Sequence, residues 1–234
     1  MRNTIITAAA LALPTLAGQP AAPAPCPAPQ PAPVRHCADS PWSMEMGYNY
    51  NWGARDIMSW DGPCKEIRTH GADLTLVHHY RGPHAMTVRL GYNYGSRSWG
   101  GWDNEFEGSL TSDTVRTHTF TLMPGYRYTA ALGERTSWFM GMNAGVANQS
   151  LKYRAYDSWG GEEYVGKLHD SAWGIAYSAE LGLRYAVTPC MDLFVAYQFT
   201  GNAAMPTLRD DEGNSARMKA QNYHGIRAGV GFKF

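Results

Sequence analysis

The chain has 234 residues with 20 basic and 20 acidic side chains, so its formal net charge is zero, and its isoelectric point is near 7.1. That balance supplies no cationic field for nucleic acid and no acidic block of the kind that forms a solvating tail. No apolar run approaches the ~20 residues of a membrane-crossing helix, and the slightly negative mean hydropathy, which looks soluble, does not exclude crossings by strands that would show lipid only at every second residue.

Met1–Ala17 has a basic start at Arg2, an apolar stretch from Ile5 to Leu13 and small residues near Ala17, which reads as a secretory signal. Residues 18–41 form a Pro/Ala-rich linker, with seven prolines between Gln19 and Val34. Such a segment cannot pack a core; it is expected to be disordered, favouring polyproline II as a spacer of roughly 50 Å at ~3.1 Å per residue.

Residues 42–234 carry a period of two. Trp42–Trp52 alternates Trp42, Met44, Met46, Tyr48, Tyr50 and Trp52 against Ser43, Glu45, Gly47, Asn49 and Asn51, which is one strand long enough to cross a bilayer at a tilt. Ile67–Tyr80 sets Ala72, Leu74, Leu76 and Tyr80 against Gly71, Asp73, Thr75 and His79, and Ala85–Gly95 sets Met86, Val88, Leu90, Tyr92 and Tyr94 against Thr87, Arg89, Gly91 and Asn93. Val115–Tyr128 places Phe120, Leu122, Pro124 and Tyr126 on one face and Thr117, Thr121 and Arg127 on the other, with Pro124 marking a bulge or the end of pairing near a rim. Ser137–Ala147, Ala172–Tyr185 and Met191–Thr200 repeat the pattern, the sixth with Glu180 and Arg184 on its polar face and the seventh with Leu193, Val195, Tyr197 and Phe199 on its apolar one.

The eighth strand, Tyr223–Phe234, alternates Ile226, Ala228, Val230, Phe232 and Phe234 against Gly225, Arg227, Gly229, Gly231 and Lys233. Connections near 81–84, 129–136 and 186–190 are short, whereas 53–66, 96–114, 148–170 and 201–221 are long. An even strand count with short turns on one rim and long loops on the other predicts an all-β, eight-stranded antiparallel up-and-down transmembrane barrel. Aromatic residues sorted to two heights suit the two headgroup levels.

Arg227, Gly229, Phe232 and Phe234 match the polar–x–Gly–x–x–hydrophobic–x–aromatic ending of bacterial outer-membrane barrels, and the whole span resembles the OmpA-type eight-stranded transmembrane domain and its small relatives. The resemblance implies residence in the bacterial outer membrane with both termini in the periplasm. It also implies recognition of that C-terminal signal by the barrel assembly machinery, contact with outer-membrane lipid and lipopolysaccharide, and a monomeric state. No OmpA-type peptidoglycan-binding domain follows the barrel in the sequence, so a cell-wall tether is not expected.

An eight-stranded barrel has room inside only for side chains. Glu45, Asp73, Glu180 and Asp192 face the lumen against Arg89, Arg127, Arg184, Arg227 and Lys233, so the charges nearly balance, and an ion-pair network of the four acids with the four arginines is expected to plug it; the resemblance allows a second role, pair switching that gates a narrow passage. Under this topology Cys37 and Cys190 share the periplasmic side and form the expected disulfide, with Cys26 not suited to lipid attachment and Cys64 unassigned.

No cofactor, metal or catalytic site is expected. His78 and His79 are adjacent in a strand and point to opposite faces, and Asp210-Asp211-Glu212 lacks the spacing of a calcium loop. His118 and His224, at the outer rim, lack the serine two residues on that lipid A deacylases of this fold carry. Loop aromatics (Trp60, Trp99, Trp102, Phe106, Trp159 and Tyr164) suit either contact with an extracellular ligand or folding back over the barrel mouth. The expected function is therefore structural or adhesive, with a gated pore or a lipid A-modifying enzyme as alternatives; a soluble lipocalin-like calyx would invert the two faces.

Overall fold

The computed structural model describes residues 40–54, 67–80, 82–103, 109–159, 162–209 and 215–234. The signal segment, nearly all of the linker, Cys26, Cys37, Cys64, Trp60, Phe106 and Asp210-Asp211-Glu212 lie outside the described residues, as do the side chains of Trp99, Trp102, Trp159 and Tyr164.

Ten strands follow in order: β1 (Trp42–Ala54), β2 (Ile67–His79), β3 (His84–Asp103), β4 (Ser109–Ala131), β5 (Thr136–Trp159), β6 (Glu162–Thr188), β7 (Met191–Asn202), the short β8 (Thr207–Arg209) and β9 (Ser215–Arg217), and β10 (Gln221–Lys233). Eight of them close a barrel in the order β1-β10-β7-β6-β5-β4-β3-β2, and β8 pairs with β9 as a separate two-stranded sheet. Every pairing is antiparallel. Pairing of β1 with β10, Ser43 opposite Lys233 through Trp52 opposite His224, removes both sheet edges.

The period of two fixes which way each side chain points. Met142, Trp173 and Ile175 are 67, 70 and 65% exposed on the outside of the barrel, and Leu90, Leu122, Leu181 and Val195 share that face. Glu45, Arg127 and Arg227 are 0% exposed on the inside. An apolar outer surface around a charged interior suits hydrocarbon and would be unstable in water; it excludes the calyx arrangement.

Three expectations are corrected. Residues 96–114 and 148–170 are mostly ladder rather than loop: β3 and β4 stay paired to Asp103 opposite Ser109, and β5 and β6 to Trp159 opposite Glu162. Hydrophilic residues can extend a strand where no lipid meets its outer face, as the Ser98–Thr114 hydroxyl pair at 3.0 Å does. Pro124 makes neither a bulge nor a rim: the β4–β5 ladder skips from Leu122–Val146 to Gly125–Asn143 without changing register, since only one amide hydrogen is missing. Register shifts fall instead in β1, between Asn51 and Ala54 around Gly53, whose φ is +96°, and at the turn end of β6, between Ala186 and Thr188.

Candidate functional site

The lumen is organised in layers from the short-turn end to the long-loop end. Nearest the short turns, Ser43 Oγ lies 3.2 Å from His79 Nε2. Here the interior departs from the expectation of ions and glycine alone, because Phe139, Phe194 and Ala196 form a buried apolar cluster. Their rings meet edge to face at 6.4 Å between centroids. The Arg127 guanidinium carbon stands 4.7 Å from the Phe139 ring centre, and that of Arg227 4.4 Å from the Phe194 ring centre, so each ring faces a desolvated cation. Strict alternation along β5 and β7 already assigns both phenylalanines to the inward face; their apolar character concealed that. Glycine provides the room: a Cβ on Gly229 would come within 2.7 Å of Phe194, and one on Gly182 within 2.7 Å of Phe139.

The charged layer brings together all eight ionisable residues predicted for it. Glu45 on β1 pairs with Arg127 and Arg184 and lies 3.3 Å from Arg227. Glu180 on β6 takes Arg89 at 2.5 Å, Arg127 at 2.8 Å and Arg227 at 3.5 Å. Arg227 also holds Asp73 at 2.5 Å, and Arg184 holds Asp192 at 3.2 Å. Thr75 accepts from Arg89 Nε at 3.3 Å and Arg227 at 3.1 Å, a contribution that inspection of charges alone does not reveal. Four carboxylates against four guanidiniums leave no net charge in the layer, the condition under which buried ions are tolerated.

Above lies an uncharged polar layer. Asn51 Nδ2 donates to Asn49 at 2.9 Å and Thr69 at 3.2 Å, and Gln198 donates to Asn51 Oδ1 at 2.7 Å. Asn202 donates to Gln149 at 2.8 Å, and Gln149 to Gln221 at 3.3 Å.

The mouth is covered by chain that the sequence reading leaves as loop. Residues 203–209 and 215–220, which include the paired β8 and β9, fold inward so that Leu208 and Met218 pack with Ile67, Val115 and Leu151 in a buried cluster bordered by Tyr153 and Leu168. Thr207 N donates to Asp170 Oδ2 at 2.6 Å, and Ala203 N to the Ile175 carbonyl at 2.8 Å. The strap crosses β6 so closely that a Cβ on Gly174 would lie 2.3 Å from Ala204 N. Tyr153 donates to Asp113 at 2.8 Å beneath this cover, and burial together with that carboxylate raises its phenol pKa far above the usual range.

On the outer rim His118 Nδ1 lies 2.8 Å from the Tyr92 hydroxyl, and His224 Nδ1 meets that of Tyr197. His78 packs against Trp42 outside the barrel while His79 bonds Ser43 inside, so the two do not converge. Among the described residues no group of three or more His, Cys, Asp or Glu is placed to hold a metal ion. Cys190, in the turn after β6, is disulfide-bonded; the expected partner Cys37 lies outside the described residues. Arg227 and Gly229 of the C-terminal motif face the lumen, and Phe234 is exposed at the end of the chain.

No family model and no curated protein matches the chain. Among solved structures it is similar to the outer membrane protein OprG from Pseudomonas aeruginosa, with 12% identity, 82% of this chain and 95% of that chain covered, and a TM-score of 0.50. It is also similar to Neisserial surface protein A (13% identity, 83% and 98% covered, TM-score 0.40) and to the outer membrane protease OmpT from Escherichia coli (13% identity, 84% and 97% covered, TM-score 0.46). The likeness to OprG is one of fold. The chain has the architecture of an eight-stranded outer-membrane β-barrel.

Proposed function

We propose that the protein is an integral, monomeric outer-membrane barrel whose body is a closed structural plug and whose tall hairpins offer a contact surface outside the cell. The observation that supports this best is the filled lumen: phenylalanines, a neutral ion-pair layer, amides and an apolar strap succeed one another along the axis. In this proposal the chain is exported by its N-terminal segment, both termini stand in the periplasm, and Arg227, Gly229, Phe232 and Phe234 present the assembly signal. The protein is non-enzymatic in this proposal. His118 and His224, each bonded to a tyrosine hydroxyl at the aromatic rim, fit an amphipathic girdle.

A gated passage is the second reading, and one geometric fact favours it: Arg227 lies within pairing distance of Asp73, Glu45 and Glu180 together, so it has alternative partners. Planar-bilayer recording of the detergent-folded protein separates the two. Flat traces for wild type and Arg227→Ala agree with the plug; discrete openings in wild type that change with Arg227→Ala would replace it with the pore.

A further inference from the structure

Above the apolar belt, the outward faces of β4, β5 and β6 carry five cationic or potentially cationic side chains on one patch. Arg116, Lys152 and His169 lie in one cross-strand row, and Arg154 and Lys167 face each other in the next. All five are exposed, and with Thr114 they line a shallow groove. Adjacent strands are about 4.8 Å apart, so each row brings like charges to the separation at which directly opposed cations destabilise a sheet.

His169 Nε2 lies 3.0 Å from Ser150 Oγ, but no carboxylate among the described residues relieves that repulsion. No ion pair joins any of the five to a carboxylate. The nearby acids are engaged elsewhere, Asp113 with the Tyr153 hydroxyl and Asp170 with the Thr207 amide. The patch therefore favours a polyanion from outside the chain.

Its height selects the source. Among the side chains described, Phe120, Val146 and Trp173 are the last exposed large apolar ones on the outward faces of β4, β5 and β6 before the cationic rows. Arg116 and His169 lie four positions beyond Phe120 and Trp173, roughly 13 Å along a strand and about 10 Å along the membrane normal at barrel tilt. Long cationic side chains can also reach back toward the interface along their apolar stems.

We propose that Arg116, Lys152, Arg154, Lys167 and His169 bind the phosphate groups of a phosphorylated glycolipid of the outer leaflet, whose acyl chains lie on the apolar belt below. The proposal rests on the membrane placement given above and adds a lateral binding site to it.

The test uses the full chain folded in maltoside micelles and titrated with bisphosphorylated lipid A, followed by native mass spectrometry. One near-surface cation is worth roughly a fivefold factor in affinity for anionic lipid, so K152Q/R154Q should bind roughly thirtyfold more weakly. K167Q/H169Q, on the neighbouring strand, should weaken binding separately, and dephosphorylated lipid should bind wild type and both variants equally poorly. Equal affinity of wild type and both folded variants, or equal binding of the dephosphorylated lipid, would overturn the proposal. So would binding of inorganic phosphate or of a soluble polysulfated saccharide at the patch with no preference for the lipid. Heat-modifiable gel mobility reads the barrel independently: a wild type that lacks it fails the membrane placement, whereas folded proteins that all bind alike fail only the patch.

Discussion

Arg227 and Asp73 are 154 residues apart in sequence and meet in the lumen, with Arg227 Nε 2.9 Å from both carboxylate oxygens and a second guanidinium nitrogen 2.5 Å from Oδ1. The pair ties β10 to β2 across β1, bracing the seam where the first and last strands close the barrel. Arg227→Ala would leave the buried layer one negative charge in excess. A loss of about 3–5 kcal/mol is expected, measured by urea unfolding of the detergent-folded protein. Arg227→Lys keeps the charge but not the fork and should fall between wild type and alanine.

Outward apolar positions should tolerate charge according to depth. Leu90 pairs with Leu74 and Leu122 on its neighbours and lies within the belt. Leu90→Arg should cost about 2–4 kcal/mol in a bilayer, whereas arginine at Tyr94, nearer the outer interface, should cost about 0–1 kcal/mol. Folding into phosphatidylcholine vesicles checks this. Equal costs at the two positions would argue against lipid contact.

The strap over the mouth is held by two apolar side chains, Leu208 and Met218, with exposed Arg209 and Arg217 beside them. Leu208→Asp/Met218→Asp places carboxylates in that cluster and should favour local opening. Trypsin should then cut at Arg209 and Arg217 at least several-fold faster than in wild type, while the barrel keeps its heat-modifiable mobility. Loss of that mobility would show that the cover is part of the barrel's cooperative unit.

Phe194 packs on Gly229 and faces the Arg227 guanidinium. Phe194→Ala should destabilise the folded barrel by about 3–5 kcal/mol through the cavity left behind, read from the same urea titration. Phe194→Leu fills most of that volume and should recover much of the loss.

Cys190 is oxidised, and Cys37 is the proposed partner. Tryptic mapping without reductant should recover a peptide containing both residues from membrane-inserted protein, and Cys37→Ser should abolish it. A Cys190 peptide joined to Cys26 or Cys64 instead would reassign the bridge.

Alternation by itself determined the eight crossings and the direction of nearly every side chain. A strand has only two faces, and a bilayer forces all the apolar residues onto one of them. The members of the lumenal network followed from it, because any charged residue on the polar face of so narrow a barrel must meet its counterions. Which partners they take was decided by tertiary structure: Glu45 meets Arg127, Arg184 and Arg227 only through strand tilt and register, which no single strand encodes. The edge-to-face contact of Phe139 with Phe194, the ladders that reach Asp103 opposite Ser109 and Trp159 opposite Glu162, and the strap packed by Leu208 and Met218 belong to the same category. Alternation turns the two rings inward, but what they pack on, and whether the hydrophilic segments pair or loop, depends on neighbours distant in the chain, such as Gly229 making space for a ring and Ile67, Val115 and Leu151 providing an apolar seat.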